Sequence, residues 1–309
     1  MPDGVEALQQ LGVHLGPQNS APFLGIRFIN GETAACARFP AASGLGIRRQ
    51  TLHALMVQRA AEIGVALHWR TPFAPGPMLT RARWIVGADG MNSRVRVWAG
   101  FDVPVASARR FGFRRHFPVA PWSDTVDVHW GRDCQVYITP VGAKELCIAV
   151  ISRYQQLRLD KALSCFPDIE RRLGASVPTT PERGSVTECR TLSAVTRGNV
   201  ALIGDASGTV DALTGEGLAL SFKQAHALVD ALASGNLASY EKAHRALSRT
   251  PALMAKLMLS MDGRVWLRRP AIGALAAAPA AFSKLLAIHI GARPSERGNP
   301  ICVSVSGAA

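Results

Sequence analysis

Two glycine-containing turns carry the acidic side chains of this sequence that are best placed to do chemistry. Asp89 and Gly90 follow one short apolar run, and Gly204 and Asp205 follow another. Ligands of open α/β sheets bind outside the carboxyl ends of the strands. There a carboxylate can accept hydrogen bonds from sugar hydroxyls, and a glycine lets the backbone approach a diphosphate. Either turn alone would be an ordinary tight turn or strand-to-helix connection, so the prediction depends on the pair.

A third segment, Leu213-Thr214-Gly215-Glu216-Gly217-Leu218, opens a helix predicted from about residue 216 to residue 233. The first turn of a helix presents unpaired N–H groups and a partial positive charge, which suit an anion or an electron-rich ring edge. Arg49 stands three residues before Leu52, at the start of another helix, predicted over residues 51–64.

These segments together resemble the two later flavin fingerprints of the para-hydroxybenzoate hydroxylase superfamily of FAD-dependent monooxygenases. The Leu-Thr-Gly-Glu-Gly form is closer to the geranylgeranyl reductases of that superfamily. The resemblance runs from about Met1 to about Thr250. It implies an FAD-binding oxidoreductase with NAD(P)H as reductant, either a monooxygenase or a double-bond reductase, acting on a small or lipophilic organic substrate.

The resemblance also implies roles for single residues. Asp205 would bind the ribitol and pyrophosphate region of FAD, and Asp89 would lie near the pyrophosphate and the approach of the nicotinamide nucleotide. Gly215 to Leu218 would lie under the flavin ring, with Arg49 beside the cofactor. The complete predicted cofactor-binding set is Arg49, Asp89, Gly90, Gly204, Asp205, Gly215, Glu216, Gly217 and Leu218.

The sequence departs from the family pattern in two places. The loop after Gly204-Asp205 contains Val210-Asp211-Ala212 where the family often has proline, so we expect a differently shaped flavin-contacting backbone. The Gly-x-Gly-x-x-Gly turn that such families place near their start is absent from the sequence. We therefore expect Met1 to be an internal methionine of a truncated or decayed gene, which leaves an inactive flavoprotein remnant as an alternative function.

The order of predicted elements indicates a mixed α/β (α+β) fold. A Rossmann-like FAD/NAD(P)-binding domain, incomplete at its N-terminus, is interrupted by an antiparallel sheet and followed by C-terminal helices. The predicted units are 1–108 (first part of the FAD-binding domain), 109–190 (antiparallel substrate domain), 191–250 (second part) and 251–309 (C-terminal helices and tail). Strands are predicted at 65–69, 84–88 and 200–203, and an antiparallel meander at 110–152. Helices are predicted over 158–174 with a break at Pro167, and over 237–249 and 251–261.

No catalytic residue is identified, but two side chains of the antiparallel section are candidates. His116 could donate a proton or contact substrate, and Arg114 could attract an anionic substrate or an NADPH phosphate. His129 is a further candidate of the same kind. A packed strand histidine and a solvated strand face are the ordinary alternatives. Trp122 and Trp130 could line an aromatic pocket or lie in the core.

The amino-acid composition limits the classes of molecule that this protein is expected to bind. The net charge is +13, which favours an anionic partner or a basic solvated surface. A nucleic-acid-binding protein is the alternative from another class, but no nucleic-acid-binding motif is present. The six scattered cysteines predict free thiols and no metal site.

We expect a cytoplasmic protein. Peripheral contact to the inner face of the membrane is left open, because Arg264, Arg268 and Arg269 precede an apolar stretch. The oligomeric state is not predicted.

Overall fold

The computed structural model describes residues 1–76, 81–101 and 109–291. Its strands, in chain order, are β1 (Ser20–Phe23), β2 (Gly25–Asn30), β3 (Thr33–Arg38), β4 (Gly44–Ile47), β5 (Ile85–Gly87), β6 (Arg110–Phe117), β7 (Val126–Trp130), β8 (Cys134–Gly142), β9 (Glu145–Ser152), β10 (Arg183–Thr187), β11 (Thr196–Arg197) and β12 (Val200–Leu202). Its helices are α1 (Pro2–Gln10), α2 (Arg49–Glu62), α3 (Arg94–Trp98), α4 (Leu159–Leu163), α5 (Pro167–Leu173), α6 (Gly217–Ser234), α7 (Leu237–Met261), α8 (Val265–Ala277) and α9 (Pro279–His289).

The largest sheet has seven strands in the order β10-β6-β9-β8-β7-β2-β3. All neighbours are antiparallel except β2 and β7, which run parallel. Because side chains alternate along a strand, Val136 and Ile138 of β8 pack into the core under α4 and α5, while Tyr137 and Thr139 face the opposite side. This sheet contains the predicted antiparallel section and also β2 and β3 from the first part of the chain. The predicted domain borders stay predictions.

A second sheet pairs strands that are distant in sequence. Its order is β11-β12-β5, with β12 and β5 parallel and Leu202 opposite Gly87. A core that includes Leu228 and Tyr240 packs α6 and α7 against this sheet. The predicted mixed α/β fold, with a parallel unit interrupted by an antiparallel sheet and a helical C-terminus, is confirmed.

The C-terminal helices cover one end of the large sheet, where Met261, Ile272 and Phe282 pack against β2, β3 and β7. Helix α7 runs without interruption from Leu237 to Met261 although Pro251 lies inside it, so the prediction of two separate helices is wrong. The buried Pro251 ring packs in the protein interior, and that packing outweighs the lost backbone hydrogen bond.

Other predicted elements have mixed outcomes. The break at Pro167 is confirmed, because α4 ends before it and α5 begins on it. Residues 65–69 do not form the predicted strand. This segment is exposed and pairs with no strand of the described chain, and a strand without a neighbour leaves its backbone groups unsatisfied. The predicted tail from Gly291 onward lies, after that residue, outside the described residues.

The cysteines only partly follow the prediction. Cys134, Cys147 and Cys165 are free thiols, whereas Cys36 is disulfide-bonded, so the expectation of free thiols is wrong at Cys36. Sequence spacing cannot reveal a pairing that depends on the tertiary fold. Within residues 1–76, 81–101 and 109–291, no three His, Cys, Asp or Glu side chains are grouped so that they could hold a metal ion.

In the same described ranges, no single helix has the length and hydropathy needed to cross a membrane. Helices α8 and α9 meet that criterion only as a pair, and they are bent by 103° at the break between them.

Candidate functional site

The two predicted acidic turns lie side by side, because they follow the adjacent parallel strands β5 and β12. The Ile203 N–H donates to the Gly87 carbonyl at 2.9 Å and extends the pairing to the end of the strands. The buried Arg96 guanidinium connects the turns by donating to the Ala206 carbonyl at 3.0 Å and to the Met91 carbonyl at 2.7 Å. The sheet therefore brings together the two fingerprints that sequence reasoning had paired.

Asp89 uses both carboxylate oxygens inside the chain. One accepts from the Ser93 hydroxyl at 2.5 Å, and the other accepts from the backbone N–H groups of Arg94 (2.6 Å) and Val95 (3.2 Å). Burial raises the pKa of Asp89, but these hydrogen bonds together outweigh it and the net shift is downward. In this geometry Asp89 organises its own turn and the start of α3, and its role towards a cofactor stays a prediction.

Asp205 differs, because its carboxylate accepts no hydrogen bond within the described residues. The residue is exposed and belongs to the short 3-10 turn Gly204–Ser207 that follows β12. Neighbouring atoms partly desolvate the carboxylate and raise its pKa, and the positive charge of Arg49 opposes that shift. Arg49, at the start of α2, lines the central cavity described below. Asp205 is therefore an acceptor without a partner in the described part of the chain, and the positive charge that acts on it belongs to Arg49, which lines the cavity.

The turn that presents Asp205 is fixed from behind by two helices. Gln224 of α6 accepts from the Gly204 N–H at 2.7 Å, and the His244 ring of α7 lies 2.9 Å from the Ser207 hydroxyl. Gly204 has φ +58°, in the left-handed region that favours glycine. A side chain at this position would strain the turn.

We expect Gly204→Ala to lower the free energy of unfolding by about 1–2 kcal/mol, because alanine resists a positive φ. Gly273→Ala in α8 is the matched control, since its backbone is not in that region and its methyl group would meet no atom within 4 Å. The control should stabilise by about 0.5–1 kcal/mol. Urea unfolding of both variants measures the difference, and equal values would contradict the argument.

The loop before α6 contains residues that sequence reasoning missed. Asp211 is buried and caps the short turn Ala212–Thr214 by accepting from the Leu213 N–H at 3.1 Å. The Asp211 carboxylate lies 4.0 Å from buried Arg110. From the large sheet, the Tyr137 hydroxyl donates to the Leu213 carbonyl at 3.0 Å. Burial raises the pKa of Asp211, and Arg110 opposes that shift. The sheet therefore holds this loop in place.

A cavity of about 630 Å³ lies between the large sheet, the loop and the C-terminal helices. Three predicted cofactor residues line it, namely Arg49, Gly215 and Leu218. The other six do not: Asp89, Gly90, Gly204, Asp205, Glu216 and Gly217. Most of the wall is aliphatic, aromatic or methionine side chains, and these come from many elements, including α1, β2, β7, α6, α7 and α9.

Both candidate catalytic side chains line this cavity, because Arg114 and His116 share one face of β6. Burial lowers the pKa of His116, and the charges of Arg114 and Arg48 lower it further. Its Nδ1 lies 3.1 Å from the Thr180 hydroxyl. Cys147, opposite His116 on β9, also faces the cavity, and burial raises the pKa of its thiol to about 11. These side chains form the polar part of an otherwise apolar wall.

The remaining aromatic candidates lie elsewhere. His129 packs edge-on against Phe166 on the other side of the sheet, and burial lowers its pKa to about 4. Trp130 is 3% exposed and contacts Arg268, and Trp122 packs against the core under α4 and α5. None of the three lines the cavity, so the core interpretation holds for both tryptophans.

Glu216, at the start of α6, points into the protein and not into the cavity. Its carboxylate lies 3.4 Å from the His289 ring of α9. Burial, with a smaller contribution from the charge of Asp3, raises the pKa of Glu216 to about 8, although the charge of Lys223 opposes the shift. Glu216 itself does not line the cavity, and its role as a cofactor residue stays a prediction.

This buried acid predicts a pH dependence of stability. Between the ordinary pKa of 4.5 and the folded value of about 8, the folded chain keeps the Glu216 proton and the unfolded chain loses it. The free energy of unfolding should therefore fall as pH rises through this window. Glu216→Gln should flatten the fall, whereas the exposed Glu62→Gln should not. Urea unfolding across the window tests this, and an unchanged slope for Glu216→Gln would refute it.

Comparison with known proteins identifies the family. The family described as FAD binding domain matches residues 76–246, which is more than half of the chain. The chain belongs to this family, and the predicted likeness to the FAD-dependent monooxygenase superfamily is confirmed. No curated protein matches the chain.

Solved structures share the fold at low sequence identity. The flavin-dependent halogenase CmlS is 16% identical with a TM-score of 0.67 over 81% of this chain, but the chain spans only 54% of its length. A flavoprotein/dehydrogenase from Cytophaga hutchinsonii is 13% identical with a TM-score of 0.72, covering 93% of this chain and 79% of that one. The tetrameric form of 2-methyl-3-hydroxypyridine-5-carboxylic acid oxygenase is 20% identical with a TM-score of 0.61, covering 92% and 83%.

Proposed function

We propose that this chain is an FAD-dependent oxidoreductase that uses NAD(P)H as reductant and acts on a largely apolar organic molecule in the central cavity. One observation carries the proposal. The carboxylate of Asp205 accepts no hydrogen bond in the described part of the chain and is acted on by the charge of Arg49, and Arg49 lines the cavity together with Gly215 and Leu218 at the glycine-rich start of α6.

The residues present fit the cofactor. Among the described residues no donor occupies the Asp205 carboxylate, so it can accept from hydroxyl groups, and Arg49 offers a positive charge to a phosphate or an electron-rich ring. Gly215 has φ +66° and no atom within 4 Å of where a Cβ would stand, so the backbone there is open to close approach. Asp205 and Arg49 would hold the cofactor, with Gly215 and Leu218 at its ring. When bound, FAD supplies hydride or oxygen-transfer chemistry.

The cavity wall supports the substrate class. Its volume of about 630 Å³ is within the usual range for small-molecule sites. Phe28, Val128 and Met258 are part of its apolar wall, whereas Arg114 and His116 supply polar contacts from the sheet. The apolar wall excludes water and favours a hydrophobic substrate body. Arg114 would orient a polar or anionic end of the substrate, and neutral His116 could accept or return a proton there.

The first experiment is to purify the chain with excess FAD, desalt it and record the visible spectrum. A retained flavin band, followed by NAD(P)H oxidation, supports the proposal. A folded but colourless chain that also shows no FAD binding in titration would overturn it and favour the inactive-remnant alternative. If NAD(P)H oxidation occurs, oxygen-dependent product formation distinguishes a monooxygenase from a double-bond reductase.

A further inference from the structure

An exposed apolar surface flanked by lysines lies next to the central cavity, on helices α7 and α9. We call it the rim: Leu253, Lys256 and Leu257 of α7, and Lys284, Leu285 and Ile288 of α9. Its four aliphatic side chains are between 41% and 54% exposed. The spacing on each helix places the apolar and basic side chains on neighbouring positions of the same face. The four aliphatic side chains of the rim are therefore exposed to solvent, and no other part of the described chain covers them.

The rim is continuous with the cavity. Leu257 and Leu285 are both exposed and both line the cavity wall. Each of these side chains therefore has one side towards the cavity and another towards solvent. The apolar interior thus opens through an apolar surface, which is the arrangement needed for a hydrophobic molecule to enter without crossing water.

The charged residues of the chain segment that carries the rim are almost all basic. From residue 242 to residue 291 the sequence has a single acidic residue, Asp262, and eight basic ones: Lys242, Arg245, Arg249, Lys256, Arg264, Arg268, Arg269 and Lys284. Asp262 is 5% exposed and accepts hydrogen bonds from Arg153 and Gln135, so it is not a surface carboxylate. Within residues 242–291, the exposed charged side chains are therefore all basic.

One basic residue must be excluded from this surface. Arg268 is 3% exposed and donates to Asn30 Oδ1 at 3.1 Å and to the Gly131 carbonyl at 2.7 Å. The sequence-based expectation that it contributes to membrane contact is therefore wrong. Arg264 and Arg269 are exposed, as are Val265 and Trp266 between them.

We propose that the rim docks on an anionic lipid surface, with the mouth of the cavity facing the lipid. Exposed leucine and isoleucine beside lysine match the side chains of helices that lie in a membrane interface. Protein interfaces favour aromatic residues and arginine and are poor in lysine, and single-stranded nucleic acids need aromatic stacking surfaces. The rim has no aromatic residue. Docking itself needs no cofactor, whereas entry of substrate from the lipid rests on the proposed function.

The test is cosedimentation of the full chain with vesicles of phosphatidylcholine, alone or mixed with phosphatidylglycerol. The chain should bind the mixed vesicles and bind neutral vesicles much more weakly. Lys256→Glu with Lys284→Glu should weaken binding at least about tenfold, since each lysine near an anionic surface contributes about 1 kcal/mol. Leu253→Ser with Ile288→Ser, neither of which lines the cavity, should also weaken it.

Matched controls carry the same changes elsewhere. Lys144→Glu with Lys161→Glu alters the net charge equally, and Val177→Ser with Val229→Ser removes side chains that are 76% and 62% exposed. Control binding close to that of the unchanged chain supports the rim. The proposal is overturned if the chain ignores anionic vesicles, or if the controls weaken binding as much as the rim variants. It is also overturned if the rim variants only dissociate a dimer in sedimentation analysis.

Discussion

Asp205→Asn should weaken FAD binding about 10- to 100-fold while the free energy of unfolding stays unchanged. Hydrogen bonds to a charged group contribute about 1.5–3 kcal/mol, and this change removes the charge while keeping the shape. Stability should not fall, because the carboxylate accepts no hydrogen bond within the described chain and is already partly desolvated. Titration of flavin fluorescence measures the affinity, and urea unfolding measures the stability.

Asp230→Asn is the control for Asp205→Asn. Asp230 is exposed on α6, so the same chemical change occurs away from the cavity. Equal affinities for the chain, the control and Asp205→Asn would remove Asp205 from the cofactor site while leaving FAD binding established. Absence of FAD binding in all three would instead count against the proposed function.

Arg110→Met should be the most destabilising of the substitutions considered, with a loss of about 3–5 kcal/mol. Arg110 is 2% exposed, lies 3.1 Å from Asp262 and donates to Gln135 at 2.7 Å. It also lies 4.0 Å from Asp211, in the loop before α6. Removing the guanidinium leaves two buried carboxylates without their shared cation, and that desolvation is the source of the loss. Urea unfolding measures it.

Arg115→Met, five positions along the same strand, is the control for Arg110→Met. Its ion pair with Asp160 is at 2.7 Å, but Asp160 is 72% exposed. Such a surface pair contributes about 0–1 kcal/mol. Arg110→Lys should fall between the two, because it keeps the charge and loses the planar fork. If Arg110→Met were no more damaging than Arg115→Met, the buried network would not stabilise the fold.

Local sequence signals predicted most of the elements correctly. Pro167 separates α4 from α5 because proline cannot continue a helix interior. The alternation along residues 111–117 could also have separated the two faces of β6, placing Arg114 and His116 on the cavity side. Failures occurred where tertiary packing decides the outcome. Pro251 stays inside a helix, and residues 65–69 find no neighbouring strand.

Sequence patterns found the two acidic turns but could not tell that they differ. Asp89 is fully hydrogen-bonded in its own turn, whereas Asp205 is not, and this depends on the path of the backbone after each strand. The Arg110 contacts with Asp211 and Asp262 escaped prediction for another reason. These residues are far apart in sequence, and no local pattern pairs them.

The hydrogen bond from Arg96 to the Ala206 carbonyl, which connects the two acidic turns, has a consequence for the order of folding. Arg96 and Ala206 are separated by 110 positions, and strands β6 to β10 of the large sheet lie between them in the chain. Closing so long a stretch of chain costs entropy before the contact forms, and contacts of this kind slow folding. The ligand-ready pair of turns should therefore assemble late, after the intervening sheet has collapsed. A cofactor that binds only the assembled pair of turns would then stabilise the product of the last folding step.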